Sequence, residues 1–433
     1  MTAFDRFDRV FEDVLADLAQ PSYPDYINDV LIRATERSQR PAWTFPERWL
    51  PMGTLARPAS LAPGLPWRNL GVLALLALLA ATILAVAFGT QQRLAPPYGP
   101  ADNGLIVYQV DGDIHARDVV DGAGRLLIGG DGVDVSPFFS RDGSTLAFLR
   151  IDPETLGKPD EAVTVYVANP DGTGARAVFG PAILRDVAWS PTGDELAVLD
   201  DLGGESRLSI VAVDDGATRV VEFDGSIIGR VQWRPPDGRE LVFLGESDGH
   251  RSFYVAATDG TGQRSVTGGR HIPVTTNVAL TPDGKSLVYM HMDLPYGIRV
   301  LDLETGELRV FGRNLPPLGP GTVHSGGAQI SPDGATLVFG RYWDEDFSAG
   351  LINHQIWAAS LASDGADGVP ISPVLRSPSG EDPNLVLMSP DGTQILVHRL
   401  ETTDTWVTEF PGGDMRMVEW GSFYDTDWQR LAP

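Results

Sequence analysis

Cysteine is absent from all 433 residues, which removes structural disulfides, thiolate catalysis, iron–sulfur clusters and cysteine-ligated zinc together. Basic residues are scarce beside acidic ones, 33 against 58 with a formal charge of −25, and that argues against a broad nucleic-acid interface, where Lys and Arg must neutralise phosphates. The seven histidines are scattered, with no His-Glu-x-x-His and no close pair, so zinc hydrolysis has no ligand set. Asp-Gly pairs such as Asp111-Gly112 and Asp131-Gly132 lack the twelve-residue calcium loop with its closing Glu and read as turns. No metal and no cofactor are expected. What is abundant is Gly and Pro, 48 and 33 residues spread along a chain that is 42% hydrophobic, a pattern of many short elements joined by turns.

One stretch is of another kind. Leu70 to Phe88 carries no charge and only Thr82 as a polar side chain, close to the ~20 residues that cross a bilayer. It is expected to be a transmembrane helix, within residues 69–89, that contacts the lipid bilayer through residues 70–88. Its depth in the chain disfavours a cleaved signal peptide, although Ala85-Val86-Ala87 has the small residues of a cleavage site. Arg57 and Arg68 on one side against Arg93 on the other favour a cytoplasmic N-terminus and an extracytoplasmic remainder. Residues 1–68 are expected to form a cytoplasmic segment with two short amphipathic helices. One carries Phe4, Phe7, Val10, Phe11 and Val14 on a single face, the second runs from Pro24 to Ser38, and a Pro- and Trp-rich stretch around Trp43 and Trp49 follows. These helices either pack on each other or bind a cytoplasmic regulatory protein.

After a linker, residues 90–103, a hairpin pattern recurs six times: FFSRDGSTLAFL from Phe138, AWSPTGDELAVL from Ala188, QWRPPDGRELVFL from Gln232, ALTPDGKSLVYM from Ala279, AQISPDGATLVFG from Ala328 and VLMSPDGTQILVH from Val386. The turn glycines Gly143, Gly193, Gly238, Gly284, Gly334 and Gly392 are 45 to 58 residues apart, a blade-sized interval. Pro fixes φ, Asp bonds its own backbone and Gly accepts positive φ, so each turn joins two strands. Two more strands follow in each unit, as at residues 163–169 and 175–179, and four antiparallel strands make a propeller blade. Residues 105–129 supply three strands without a first, and residues 424–430 a first strand without a turn. Joined, they close the ring. Residues 104–430 then divide into seven units of about 47 residues. The expected fold is all-β, a seven-bladed β-propeller with six blades as the alternative, preceded by the transmembrane helix and a small α-helical N-terminal segment.

Ser-Pro-Asp-Gly followed by Leu-Val-Phe or a close variant resembles the TolB-type propeller repeat, a WD-repeat-like class, and the resemblance covers residues 104–430. It implies the propeller, with six blades in TolB itself, and no one function. The layout of short inner segment, single anchor and outer domain is similar to bacterial anti-sigma regulators. Prolyl-oligopeptidase-type enzymes also resemble the chain in their propeller, but only three residues follow Arg430, too few for a hydrolase domain. The Gly245-Glu246-Ser247-Asp248-Gly249 match to a nucleophile elbow is followed by another strand where the elbow needs a helix. The chain is therefore expected not to be an enzyme but a membrane-anchored binding module or receptor for an extracytoplasmic protein, peptide or glycan. A TolB-like envelope-assembly scaffold is the alternative and a propeller-based enzyme the third reading. Function concentrates on long loops over a rigid scaffold, here residues 151–162, 268–277, 313–327, 343–354 and 377–383. The candidate binding residues on them are His271, His324, Trp343, Asp344, Glu345, Asp346, Phe347, His354 and Glu381.

Overall fold

The turn sequences fold as their chemistry dictates. In the first, Gly143 takes φ +71° and its amide donates to the Ser140 carbonyl at 2.8 Å. The hydroxyl that opens the turn donates to the Asp two residues on, at 2.6 Å for Ser140 to Asp142 and for Thr281 to Asp283, and at 2.5 Å for Ser331 to Asp333 and Ser389 to Asp391. The Ser331 hydroxyl and the Ala335 amide hold the Asp333 carboxyl below its usual range.

The computed structural model describes residues 94–433 apart from residue 269 and residues 273–274, 292–296, 319–322, 344–350, 379–384, 399–404, 419 and 421–423. Strands β1 (Asp102–Val110), β2 (Asp113–Arg117) and β3 (Arg125–Ile128) open the fold. There follow β4 (Val133–Phe139), β5 (Leu146–Ile151), β6 (Val163–Ala168), β7 (Arg176–Trp189), β8 (Glu195–Leu202), β9 (Glu205–Ala212) and β10 (Thr218–Val220). The next two sheets hold β11 (Ser226–Trp233), β12 (Glu240–Ser247), β13 (His250–Ala257) and β14 (Arg264–Ser265), then β15 (Thr275–Leu280), β16 (Ser286–His291), β17 (Gly297–Asp302) and β18 (Leu308–Val310). Then come β19 (Val323–Ile330), β20 (Thr336–Trp343), β21 (Leu351–Ser360), β22 (Val369–Pro370) and β23 (Leu375–Pro378), and after them β24 (Leu385–Met388), β25 (Gln394–His398), β26 (Thr405–Glu409) and β27 (Arg416–Val418). Strand β28 (Tyr424–Leu431) returns to the start and lies beside β1 in a sheet ordered β28-β1-β2-β3, with Asp102 opposite Leu431 and Ile106 opposite Trp428. All neighbouring strands are antiparallel, and the helical content among the described residues is one 3-10 turn, Leu361–Ser363. This is an all-β propeller.

The count of separate sheets departs from the expected seven. Five sheets have the four or five strands of a blade, and a sixth has seven strands, β4 to β10, because β7 runs unbroken for 14 residues. Its first half pairs with β6, Val165 opposite Phe179, and its second half with β8, Ile183 opposite Asp201. Pro181 sits where the strand changes partners, so its missing amide removes no ladder bond from either side.

The sheets bury apolar faces against their neighbours in turn. One core between the seven-stranded sheet and the next combines Leu199 and Ile210 with Leu241 and Phe243, all at most 2% exposed. Polar locks join the first strands around the ring: Asp427 Oδ2 accepts from Phe139 N at 2.6 Å, Asp186 Oδ2 from Val231 N at 2.8 Å and Gln329 Oε1 from Met388 N at 2.5 Å. Indole donors repeat the theme, Trp189 Nε1 to the Phe138 carbonyl at 3.3 Å and Trp233 Nε1 to the Ala188 carbonyl at 3.0 Å.

The expected cytoplasmic segment, the transmembrane helix over Leu70–Phe88 and residues 90–93 of the linker lie outside the described residues. Among the described residues no helix is long and apolar enough to cross a membrane.

Candidate functional site

Strands β4 and β7 of the seven-stranded sheet, with β11, β24 and β28 of three others, wall a cavity of about 530 Å³. Strand alternation sends Trp428 and Trp189 back between the sheets and leaves polar groups such as Asp425, Asp427, Ser136 and Gln232 at the wall. On the last sheet the cavity reaches His398 and Thr405 behind Leu387 and Leu396, with His398 Nδ1 3.3 Å from Thr405 Oγ1 and His398 only 6% exposed. Backbone turns sharpen the wall: Ser136 and Asp425 take φ +49°, Arg230 takes φ +59°, and the Ser136 hydroxyl donates to Asp425. These residues stand two before Phe138, Asp427 and Gln232, the equivalent positions of three sheets.

Burial pushes the Asp427 carboxyl up to about 6, against the pull of Arg141, Arg430 and the amides of Phe139 and Trp428. Desolvation likewise raises Asp186. A carboxyl that protonates close to neutral pH can exchange a proton or donate a hydrogen bond where an ordinary Asp only accepts. Towards the turn end a second cavity of about 170 Å³ is ringed by the turn prolines Pro235, Pro282, Pro332 and Pro390, and it shares Tyr98, Arg141, Asp427 and Arg430 with the first. Among the described residues no cluster of three His, Asp or Glu side chains has the geometry to hold a metal.

The residues expected from loop length fall elsewhere. Trp343 and His354 are not on a loop: β20 extends to Trp343 and β21 starts at Leu351, with Tyr342 opposite His354 and Trp343 opposite Asn353. Cross-strand pairing carries the sheet further than the charged sequence suggests, which leaves Trp343 6% and His354 0% exposed. His324 is in β19 opposite Arg341. His271 is exposed, and its Nδ1 accepts from the Arg251 amide at 3.4 Å. Trp343, His354 and His271 do not line the cavity. Asp344, Glu345, Asp346, Phe347 and Glu381 lie outside the described residues. Loop-length reasoning missed Asp427, His398, Arg141 and Arg430; the signal for the first was an Asp alternating with Asp425 on a strand whose Trp428 marks the packed face.

No family model matches the chain. The WD repeat-containing protein WDS homolog of Arabidopsis thaliana is 33% identical over 133 residues, 30% of this chain and 24% of that protein, so the chain spans about a quarter of the length of the curated relative it matches. Among solved structures, oligogalacturonate lyase from Vibrio parahaemolyticus is similar at 14% identity and a TM-score of 0.50, over 72% of this chain and 88% of that one. The periplasmic gluconolactonase of Pseudomonas aeruginosa is similar at 18% identity and 0.50, over 76% and 99%. TolB from Acinetobacter baumannii aligns at 16% identity and 0.46, over 77% and 81%. The two likenesses at 0.50 show the propeller fold. Two of these neighbours are enzymes on the same fold, which overturns the expectation that the chain is not an enzyme: a propeller needs no appended hydrolase domain to be catalytic.

Proposed function

We propose that the chain is a membrane-anchored propeller that binds a small polar ligand in its central cavity outside the cytoplasm. The observation that supports this best is the cavity itself, about 530 Å³ with an apolar rim of indole and leucine and a few convergent polar groups, Asp427, His398, Thr405 and Gln232. That size and mixture are those of small-molecule sites, which run from roughly 300 to 1,000 Å³. The anchor rests on the uncharged run from Leu70 to Phe88, and the orientation on Arg57 and Arg68.

The test is a thermal-shift and calorimetric panel on the full chain in micelles, covering neutral sugars, sugar acids, amino acids and nucleosides, with every ligand that binds then followed for chemical change. A bound ligand that loses at least tenfold in affinity with His398→Ala or Thr405→Val supports the site, and turnover would make it catalytic. Binding indifferent to both substitutions, or none across the panel, counts against it. A phosphatase reporter fused after Pro433 should be active only outside the membrane; cytoplasmic activity would reverse the orientation.

A further inference from the structure

The chain that leads into β1 does not run clear of the ring. Ala95 N donates to the Asp142 carbonyl at 3.3 Å, on the turn after β4, and Ala101 N to the Pro390 carbonyl at 3.0 Å, on the turn after β24. Both alanines are 3% exposed. Residues 96–100 thus bridge two turns at the turn end of the cavity, and Tyr98 in the middle lines both the large and the small cavity. Pro96, Pro97 and Pro100 remove three amide donors from this strap, which leaves mainly carbonyls to offer.

Arg430 receives two of them, its Nη2 donating to the carbonyls of Pro96 at 3.0 Å and Gly99 at 2.6 Å, while Nε donates to the Arg141 carbonyl at 3.1 Å. Arg141 lays its guanidinium over the Tyr98 ring at 5.5 Å. Neither arginine forms an ion pair among the described residues, in a chain of net charge −25 whose Arg150, Arg207 and Arg234 all do. A guanidinium on neutral carbonyls lacks the ion-pair attraction and the two parallel bonds with which it grips a carboxylate. Arg430 on backbone carbonyls and Arg141 over Tyr98 place two cations at the cavity mouth beside the single carboxyl of Asp427, an anion site whose Arg430 donors are taken by the protein's own backbone.

We propose that this mouth binds the carboxylate of an anionic ligand, with Arg430 as the bidentate anchor and Arg141 as the second cation, and that residues 96–99 are a tethered occupant which the ligand displaces. This rests on the reading of the cavity as a ligand site and names the ligand class and its regulation. A carboxylate fits better than a phosphate because Asp427 faces the same space and a second negative charge on the ligand would meet it. Filling the mouth releases residues 96–99 from Arg430.

The experiment uses the full chain in micelles with Leu94→Cys, a site 57% exposed in a chain with no other cysteine, carrying a nitroxide. Glucuronate, glucose and inorganic phosphate are the probes. Glucuronate is expected to bind and mobilise the label, to weaken at least tenfold in Arg430→Gln and about threefold in Arg141→Gln, and to bind several-fold tighter in Tyr98→Ala, where the strap loses its ring contact with Arg141 and is displaced more easily. Glucose should neither mobilise the label nor respond to Arg430→Gln. Glucuronate that binds Arg430→Gln as well as the parent, leaves the label unchanged, or weakens in Tyr98→Ala overturns the proposal, as does release of the strap by phosphate alone. Should Arg430→Gln fail to fold, Arg141→Gln and Tyr98→Ala decide it. If glucose binds the cavity whatever happens at Arg430, the ligand-site reading survives without this one; if neither sugar binds, nor any member of the wider panel, both fall.

Discussion

Replacing Asp427 by asparagine separates two roles of one side chain. Its carboxyl accepts from Phe139 N at 2.6 Å and so joins β28 to β4, and its ionised form is held in a poorly solvated wall that pushes it up from 3.8 to about 6. An asparagine keeps an acceptor oxygen at the joint and removes the charge. A shift of about two units corresponds to about 3 kcal/mol, which the side chain's partial exposure reduces to about 1–2 kcal/mol. The folded-state value lies above the unfolded one, so the ionised carboxylate destabilises the native state in full above about pH 6, progressively less from pH 6 to 4 as the native form takes up a proton, and not at all below. The groups facing it, Arg141, Arg430 and the amides of Phe139 and Trp428, stay charged or neutral throughout that window. Asp427→Asn should therefore be more stable than the parent by about 1–2 kcal/mol near pH 7.5, with the difference vanishing by about pH 4. Urea unfolding followed by tryptophan fluorescence at several pH values measures it. An asparagine variant that is less stable than the parent by the same amount at every pH would refute the reasoning, because the carboxylate charge would then be part of what closes the ring.

Gly143→Ala should cost more than about 2 kcal/mol, since its φ is +71° and a Cβ would meet the Arg430 carbonyl, whereas Gly249→Ala, at φ +73° with nothing within 4 Å, should cost about 1 kcal/mol; denaturant midpoints compare the two. Asp134→Ala should destabilise by about 3 kcal/mol, because the fully buried carboxylate accepts from Arg150 Nε at 2.6 Å and Nη2 at 2.8 Å and its loss strands the guanidinium over Tyr166. A matching loss at the second buried cross-strand pair, Asp200 and Arg207, would show that such pairs contribute wherever the carboxylate is buried; indifference at both would place these pairs with ordinary surface ion pairs. Trp233→Phe keeps the ring packing but drops the indole bond to Ala188, for an expected loss of about 1 kcal/mol in the unfolding free energy.

The hairpins were legible because each turn encodes its own geometry: a hydroxyl to bond Asp, an Asp to bond the backbone, a Gly for positive φ. The closing strand was legible for a related reason, since residues 424–430 run to Trp428, the place held by Trp189 and Trp233 in their own sheets. What did not show was anything set by pairing across long separations. Gly180 and Pro181 read as a break in β7, yet they mark a change of partner. The length of β20 and β21 is fixed by their register, which turns Trp343 and His354 from loop residues into core. The cavity is not legible because its walls are short runs near the ends of strands far apart in the chain, and only the ring brings Asp427, Gln232 and Arg430 to one place.

The seam between β28 and β1 also sets a timetable. Leu105 N meets Gln429 Oε1 across 324 residues of chain, and at about 5–20 residues per second the ribosome takes roughly 15–60 s to deliver the second after the first. Through that interval the remaining sheets have all they need to form, while the outer rail of β1 stands open as an unpaired edge. The ring is a horseshoe until its last strand emerges. A neighbouring nascent chain offers an identical copy of residues 424–431 to that edge, so crowded synthesis favours strand exchange between copies at this one seam, and the waiting time rather than the final stability governs how much of the protein ends up exchanged.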